Sequence, residues 1–245
     1  MSKFPCIVGA ADFPLHDRGR ALTGYSELSI QKYCAKIALK QAGLNFSDVN
    51  GLAVAGMWGV PGAGIMQPNV LTEYLGIKYP KWLEGTNIGG STFLLHVNHA
   101  YQAIEAGVCD TVLILYGSLQ KSQMSRSLGN RPATFSNQFE VVAGLPLPVG
   151  GYALAAERHM HTYGSTKETL AEIAVSTRKW ASMNSNAAFQ EPLTKDAAMT
   201  SRIISSPLHR SDCCLVTDGG GAIVLTTYEK SKNLKSKPIF IKGYG

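Results

Sequence analysis

The stretch from Trp82 to Ser118 does most to limit what this chain can fold into. Trp82 to Ile88 reads as a strand, Gly89-Gly90 as a turn, Ser91 to Ala106 as a helix, and Cys109 to Tyr116 as a second strand. Within the helix, Phe93, Val97, Ala100, Tyr101 and Ile104 recur at the spacing of one buried stripe. Ser91 is placed to cap its start, and Gly107 to end it in a left-handed residue. Thr111-Val-Leu-Ile-Leu-Tyr116 is almost continuously apolar, as a strand covered on both faces must be. A strand that delivers a helix N-terminus aims N–H groups and positive potential at one point. Asn87 to Thr92 is therefore the first place to look for chemistry, set against the plain alternative of a tight connection.

The same alternation precedes it. Phe4 to Ala11 and Val49 to Met57 read as strands; Ser26 to Gln41 and Asn69 to Leu75 read as helices, stopped at Gly43 and Gly76. On the first helix Ile30, Tyr33, Cys34, Ile37 and Ala38 form an apolar face, with Gln31, Lys32, Lys36 and Lys40 opposite. The glycine-rich loop Trp58 to Gly64 lacks the Gly-Lys-Ser/Thr ending of a phosphate loop. A β-α-β-α-β-α-β order predicts an α/β fold, a mostly parallel mixed sheet flanked by helices.

After Ser118 the pattern breaks. Leu119 to Ser206 offers no strand pair, only a polar stretch (Gln120 to Asn137) and helices around Gly151 to Tyr163, after Ser165-Thr-Lys-Glu168, and over Asp196 to Ile204. Ser165 and Glu168 fit a capping box, and the helix they open carries Leu170, Ile173, Ala174, Thr177 and Ala181 on a stripe expected to be buried. An insertion this long between sheet strands is usually functional. Strand pattern returns at Ala222 to Thr227 and Pro238 to Lys242, with Asp218-Gly-Gly-Gly221 as a turn.

Composition narrows the class. At 245 residues the chain can bury a sizeable core. No apolar run reaches membrane-spanning length, and the N-terminus reads directly into a strand without a secretory leader. Five cysteines, none in a Cys-x-x-Cys pair, predict reduced thiols and a cytoplasmic protein. The net charge of +6 is partly a lysine run at 230 to 237, read as a solvated turn rather than a nucleic-acid patch. His96 and His99 are assigned to the polar side of the central helix, and no third metal ligand is evident near them; His159 and His161, two residues apart, cannot share a helix face. No metal site is expected.

Several phrases, in this order, resemble the thiolase superfamily, and most of all its sterol-carrier-protein-type, lipid-transfer-like branch. They are Gly89-Gly90-Ser91-Thr92, Ala103 to Asp110 leading into Leu113 to Gly117, and Tyr152 to Gly164; then Arg178 to Asn184 and Pro207 to Cys213, followed by Thr217 to Ala222. The resemblance implies a fold of two similar halves, each a five-stranded sheet flanked by helices, with a helical loop region inserted in the first. Residues 1–118 and 207–236 would form the core of the first half, 119–206 the insertion, and 237–245 the start of a strand crossing to a second half that is missing. It also implies a homodimer built on the first-half sheet and a substrate carried on coenzyme A, with no separately bound cofactor.

Aligned on Gly90-Ser91-Thr92, the nucleophilic cysteine of a thiolase falls at Asn87. Cys109 lies at the other end of the helix and reads as core, and the Gly-His-Pro and Cys-x-Gly motifs of the family do not occur. The catalytic candidates are thus Asn87, Gly89, Gly90 and Ser91, with backbone amides in place of a thiolate. Tyr152, Tyr163 and Asn184 are expected to line the substrate path, and Arg126 and Arg131 to meet coenzyme A phosphates. Three functions follow as expectations. The first is coenzyme A thioester chemistry in lipid or sterol side-chain metabolism without a cysteine acyl-enzyme. Cysteine-free members resemble retro-aldol enzymes that work with an OB-fold and zinc-ribbon partner, so the chain is either a subunit of that kind or an acyltransferase with Ser91 as a surrogate nucleophile. The third is a non-catalytic or truncated binding subunit that needs a separate C-terminal half.

Overall fold

The computed structural model describes residues 4–16, 18–55, 66–123, 138–140, 142–145 and 148–244. The chain divides into two compact units: Met1–Pro14, Arg20–Gln123 and Asp218–Gly245 form the first, and Leu15–Gly19 with Met124–Thr217 form the second.

The first unit is built on a six-stranded mixed sheet in the order β3-β2-β4-β7-β1-β8. Its strands are β1 (Pro5–Asp12), β2 (Gly51–Val54), β3 (Trp82–Glu84), β4 (Thr111–Ser118), β7 (Gly219–Thr227) and β8 (Ile239–Phe240). β2 pairs in parallel with β3 and β4, whereas β7 runs antiparallel to β4 and β1, and β8 antiparallel to β1. Four of the six strands therefore point the same way, and five of them match the expected sheet; the sixth is the two-residue β8.

Helix α1 (Glu27–Ala42) packs on one face of the central strands and α3 (Thr92–Glu105) on the other. The pleat divides β4 between them. Val112 and Ile114 join Ala100, Ala103 and Ile104 of α3 in one core cluster with Leu225 and Cys109. Gly117 and its partner Gly220 turn toward α1, where an added Cβ would meet the Glu27 carbonyl at 2.6 Å and Ile30 Cγ2 at 2.3 Å. Gly9 of β1 does the same beneath the Ala38 carbonyl. These notches let the α1 backbone lie directly on the sheet. They also reassign Gln31, expected on the polar face, to the interior: it is fully buried, and its Nε2 donates to the Glu27 carbonyl.

Strand β3 is shorter than its pattern. The ladder stops at Glu84, and residues 85–91 are exposed until the chain enters a 3₁₀ turn at Gly89–Ser91. The buried stripe of α3 is also shifted. Thr92, His96, Ala100, Ala103 and Ile104 are buried, while Phe93, Val97 and Tyr101 are half-covered. Helix α2 (Gln67–Leu75) ends at Gly76 with φ 74°, as its sequence predicts. The glycine-rich loop Trp58 to Gly64 lies outside the described residues.

The second unit holds α4 (Val149–Tyr163), α5 (Lys167–Ser182) and α6 (Lys195–Thr200), and a two-stranded antiparallel sheet of β5 (Ile203–Ser205) and β6 (Leu208–His209). That hairpin corrects the expectation of no strand pair and takes Ile203 and Ile204 out of the predicted helix, which ends at Thr200; two- and three-residue strands leave no periodic signal. The capping box of α5 is Thr166 with Thr169, one residue later than predicted. Ser165 instead donates to or accepts from His159 Nδ1 at 2.7 Å. The α5 stripe is not buried either. Only Ala171 of that helix is, and Leu170, Ile173, Ala174, Thr177 and Ala181 line a groove of about 750 Å³ with Phe189, Leu193, Leu208 and Leu215.

Candidate functional site

Side chains hold the bend between β3 and α3 together from both ends. Asn87 Oδ1 accepts from the Gly89 N–H at 3.0 Å, and Thr92 Oγ1 accepts from Ile88 N–H at 2.9 Å while donating to the Gly89 carbonyl at 2.6 Å. Gly89 supplies the φ of +83° that the turn requires. Two corrections follow. Ser91 does not cap the helix: its backbone is already helical and it makes no side-chain capping bond, while the Thr92 hydroxyl ties down the preceding loop rather than a first-turn amide. The Gly89 amide, expected among the available donors, is taken by Asn87.

What remains open is the N–H of Gly90, at the start of the 3₁₀ turn; Ser91, the last residue of that turn, has the Ile88 carbonyl three residues back as the acceptor for its N–H. Both residues are exposed. Gly90 has an ordinary φ, and a Cβ built on it meets nothing within 4 Å. The fold does not require glycine at 90, whereas a ligand pressed against its amide would. Dipole and N–H groups together favour an acceptor carrying negative charge.

Beneath the bend lies a polar layer that the apolar spacing missed. His96, fully buried, donates from Nε2 to the Thr86 carbonyl at 3.0 Å. Glu84 Oε1 accepts from Thr86 N–H at 3.1 Å, and its Oε2 lies 3.4 Å from His99 Nδ1. Burial pushes the Glu84 carboxyl up, but the Thr86 contacts and the two imidazoles outweigh it and hold it below the ordinary range. Burial holds His96 below the ordinary imidazole value, against the opposing pull of Thr86 and Glu84. His96 thus corrects its assignment to the polar helix side. The signal was there: Thr92, His96 and His99 fall at i, i+4 and i+7.

No thiol takes the missing role. Cys109 is 1 % exposed in the core cluster at the far end of α3. Burial pushes Cys34 up to about 12 and moves Cys6 and Cys213 upward as well, away from the reactive thiolate. No disulfide links any of the five cysteines. Among the described residues no group of three or more His, Cys, Asp or Glu could hold a metal ion.

The remaining candidates lie in the second unit. Tyr152 and Tyr163 are 69 % and 74 % exposed on α4, and Tyr163 stacks on His159. Asn184 Oδ1 accepts from Asn186 N–H at 3.0 Å, so its carboxamide shapes a turn. None of these three lines the α5 groove, whose polar wall includes Arg178 and Arg210. Arg126 and Arg131 lie outside the described residues. Among those described, no helix is long and apolar enough to cross a membrane.

No family model matches the chain. It is 31% identical over 243 residues to 17-hydroxy-3-oxo-4-pregnene-20-carboxyl-CoA lyase of Mycobacterium tuberculosis, covering 96% of this chain and 60% of that one. Sterol carrier protein 2 of Bos taurus is 32% identical over 161 residues, 62% of this chain and 29% of that protein. Among solved structures, an Ltp2-ChsH2(DUF35) aldolase superposes with TM-score 0.82 at 28% identity, over 98% of this chain and 60% of that one. A monomeric SCP2-thiolase-like protein of Mycobacterium smegmatis shares the fold at TM-score 0.72 and 18% identity, over 98% of this chain and 49% of that one. The chain spans about 60% of the length of the lyase and of the aldolase chain it matches. By sequence and by fold, the chain belongs to the thiolase superfamily, in its sterol-carrier-protein-2-like branch.

Proposed function

We propose that the protein acts on a coenzyme A thioester by carbon–carbon bond cleavage of the retro-aldol kind, with the bend at Asn87–Ser91 stabilising the enolate. One observation carries the reading: at Asn87, where the family resemblance sets the nucleophilic cysteine of a thiolase, a carboxamide is tied into the turn, and the Gly90 amide beside it stays open. A donor without a nucleophile suits a reaction that develops negative charge on a thioester oxygen and forms no acyl-enzyme. In such a step a base takes the β-hydroxyl proton and the oxygen becomes a carbonyl. The Cα–Cβ bond breaks toward the thioester, and its electron pair ends as an enolate that is then protonated. Relatives named as a carboxyl-CoA lyase and an aldolase support this choice over acyl transfer. So does Ser91, an exposed hydroxyl with no base in contact among the described residues.

The groove along α5 is a second, separate candidate for an apolar ligand within its own unit; about 750 Å³ lies within the size range of small-molecule sites. Tyr152, Tyr163 and Asn184, outside that groove, are kept as proposed substrate contacts, and Arg126 and Arg131 as proposed contacts of coenzyme A phosphates. The Ltp2-ChsH2 structure supports a protein partner, which we propose to be the OB-fold and zinc-ribbon protein implied by the family resemblance, and a homodimer through the first-unit sheet belongs to the same reading. A cytoplasmic setting fits five unbridged thiols.

Gly90→Val is the test. A side chain at 90 meets open space, so the variant folds, but it screens the open Gly90 amide from a ligand. Cleavage of a β-hydroxyacyl-CoA, followed by release of the shortened thioester, falls roughly a hundredfold or more, the cost of removing an oxyanion donor. Turnover within twofold of the parent protein removes the bend from the mechanism.

A further inference from the structure

We infer that His96 is a positioning residue for the bend, setting the direction of the open Gly90 amide by holding the Thr86 carbonyl. The inference rests on the reading of that bend as the site and adds a residue to it.

Past Glu84 the bend has no sheet ladder to fix it, and every residue from Gly85 to Ser91 is exposed. Its path is set instead by the first turns of the helix that follows. Thr92 grips Ile88 N–H and Gly89 O, while His96, one turn on, grips Thr86 O. His99, another turn on, reaches Glu84, whose other oxygen takes Thr86 N–H. The three side chains share one helix face, so the incoming backbone is pinned at successive points along a single line. His96 is the inner pin: it is fully buried and anchored in the helix that meets the sheet, and the peptide it holds joins Thr86 to Asn87. Donation from Nε2 fixes the tautomer, leaving Nδ1 as an acceptor; Nδ1 is buried and makes no hydrogen bond. A neutral hydrophobic residue would pack as well and would dispense with that unpartnered atom, yet it would release the carbonyl. The burial of a polar ring here is explained by the one bond it makes.

The test separates packing from direction. The full chain is followed by the ¹H–¹⁵N resonances of Gly90 and Ser91 and by cleavage kinetics, in His96→Leu, His96→Gln, His96→Asn and Ile104→Ala. Leu removes the donor, Gln carries one at the reach of Nε2, and Asn carries one too short to arrive. Ile104→Ala perturbs the same helix from its other end. Expected are displaced Gly90 and Ser91 resonances in the Leu and Asn variants, with kcat down roughly tenfold to a hundredfold and KM within twofold, because misplacement by about 1 Å costs that much. Gln restores both readouts, and Ile104→Ala moves neither. Should His96→Leu fail to fold, the contrast of Gln with Asn decides. Unmoved resonances in the Leu and Asn variants, equal movement in Ile104→Ala, or no recovery with Gln overturns the inference. Resonances that move and recover while turnover stays level leave the positioning intact and overturn instead the proposed role of the bend.

Discussion

Helices α1 and α5 are each 16 residues long, and each carries an apolar stripe at helical spacing. Their fates differ. α1 buries eight residues, because the glycines at 9, 117 and 220 bring the sheet against its backbone. α5 buries one, and its stripe borders a groove. Periodicity states which face is apolar; it does not state what, if anything, fills the space in front of it. A filled space is core; an open one is not, however regular the stripe that borders it.

Substitution tests that contrast directly. Ile30→Ala, at a fully buried position pressed on Gly220, costs about 2–5 kcal/mol in urea unfolding, the range for large-to-small changes in a closed core. A loss under about 1 kcal/mol would mean that α1 is no better packed than α5. An intermediate effect belongs to Asp218. This buried carboxylate accepts from the N–H groups of Ala21, Lys121 and Ser122 and from the Ser122 hydroxyl. Burial pushes its pKa up, but those bonds outweigh burial and hold it below the ordinary value. The folded value thus lies below the unfolded one, about 3.9. The stabilisation is complete well above that pH and is lost as pH falls through the folded value. Asp218→Asn lowers stability at neutral pH by about 1–3 kcal/mol and flattens the acid limb of the stability curve below about pH 4. An unchanged acid limb would remove Asp218 from the account. The smallest effect is expected in the groove: Ile173→Ala, at a position 60 % exposed, changes stability by no more than about 0.5 kcal/mol. A loss of several kcal/mol would show that α5 is packed after all.

The alternation of strands and helices was legible in the sequence because each element carries its own signal: period, cap and terminating glycine. Gly43, Gly76 and the run at Thr111 to Tyr116 all read correctly for that reason. What could not be read depended on contacts between elements. Gln31 reads as solvent-facing until Gly117 is known to sit opposite it. The apolar count along α3 pointed to Phe93 and Val97, yet the buried positions beneath the bend went to Thr92 and His96, because their partners are backbone groups of the preceding loop. The position of the bend was visible as two glycines after a strand, but the identity of its open amide was not. That turned on whether Asn87 folds back onto Gly89, which only the loop geometry decides. The β5–β6 hairpin was hidden by its own brevity.

Asp218 has a consequence beyond stability. Its four bonds go to Ala21, Lys121 and Ser122, each within a few residues of a point where the chain passes from one unit to the other, and Asp218 is itself such a point. One carboxylate therefore stitches the hem of the first unit at three of its four crossings: where the short excursion rejoins and where the long one leaves and rejoins. A scaffold closed off in this way tolerates exchange of what lies between the stitches: the long excursion can be lengthened, trimmed or replaced by a graft while the sheet keeps its register.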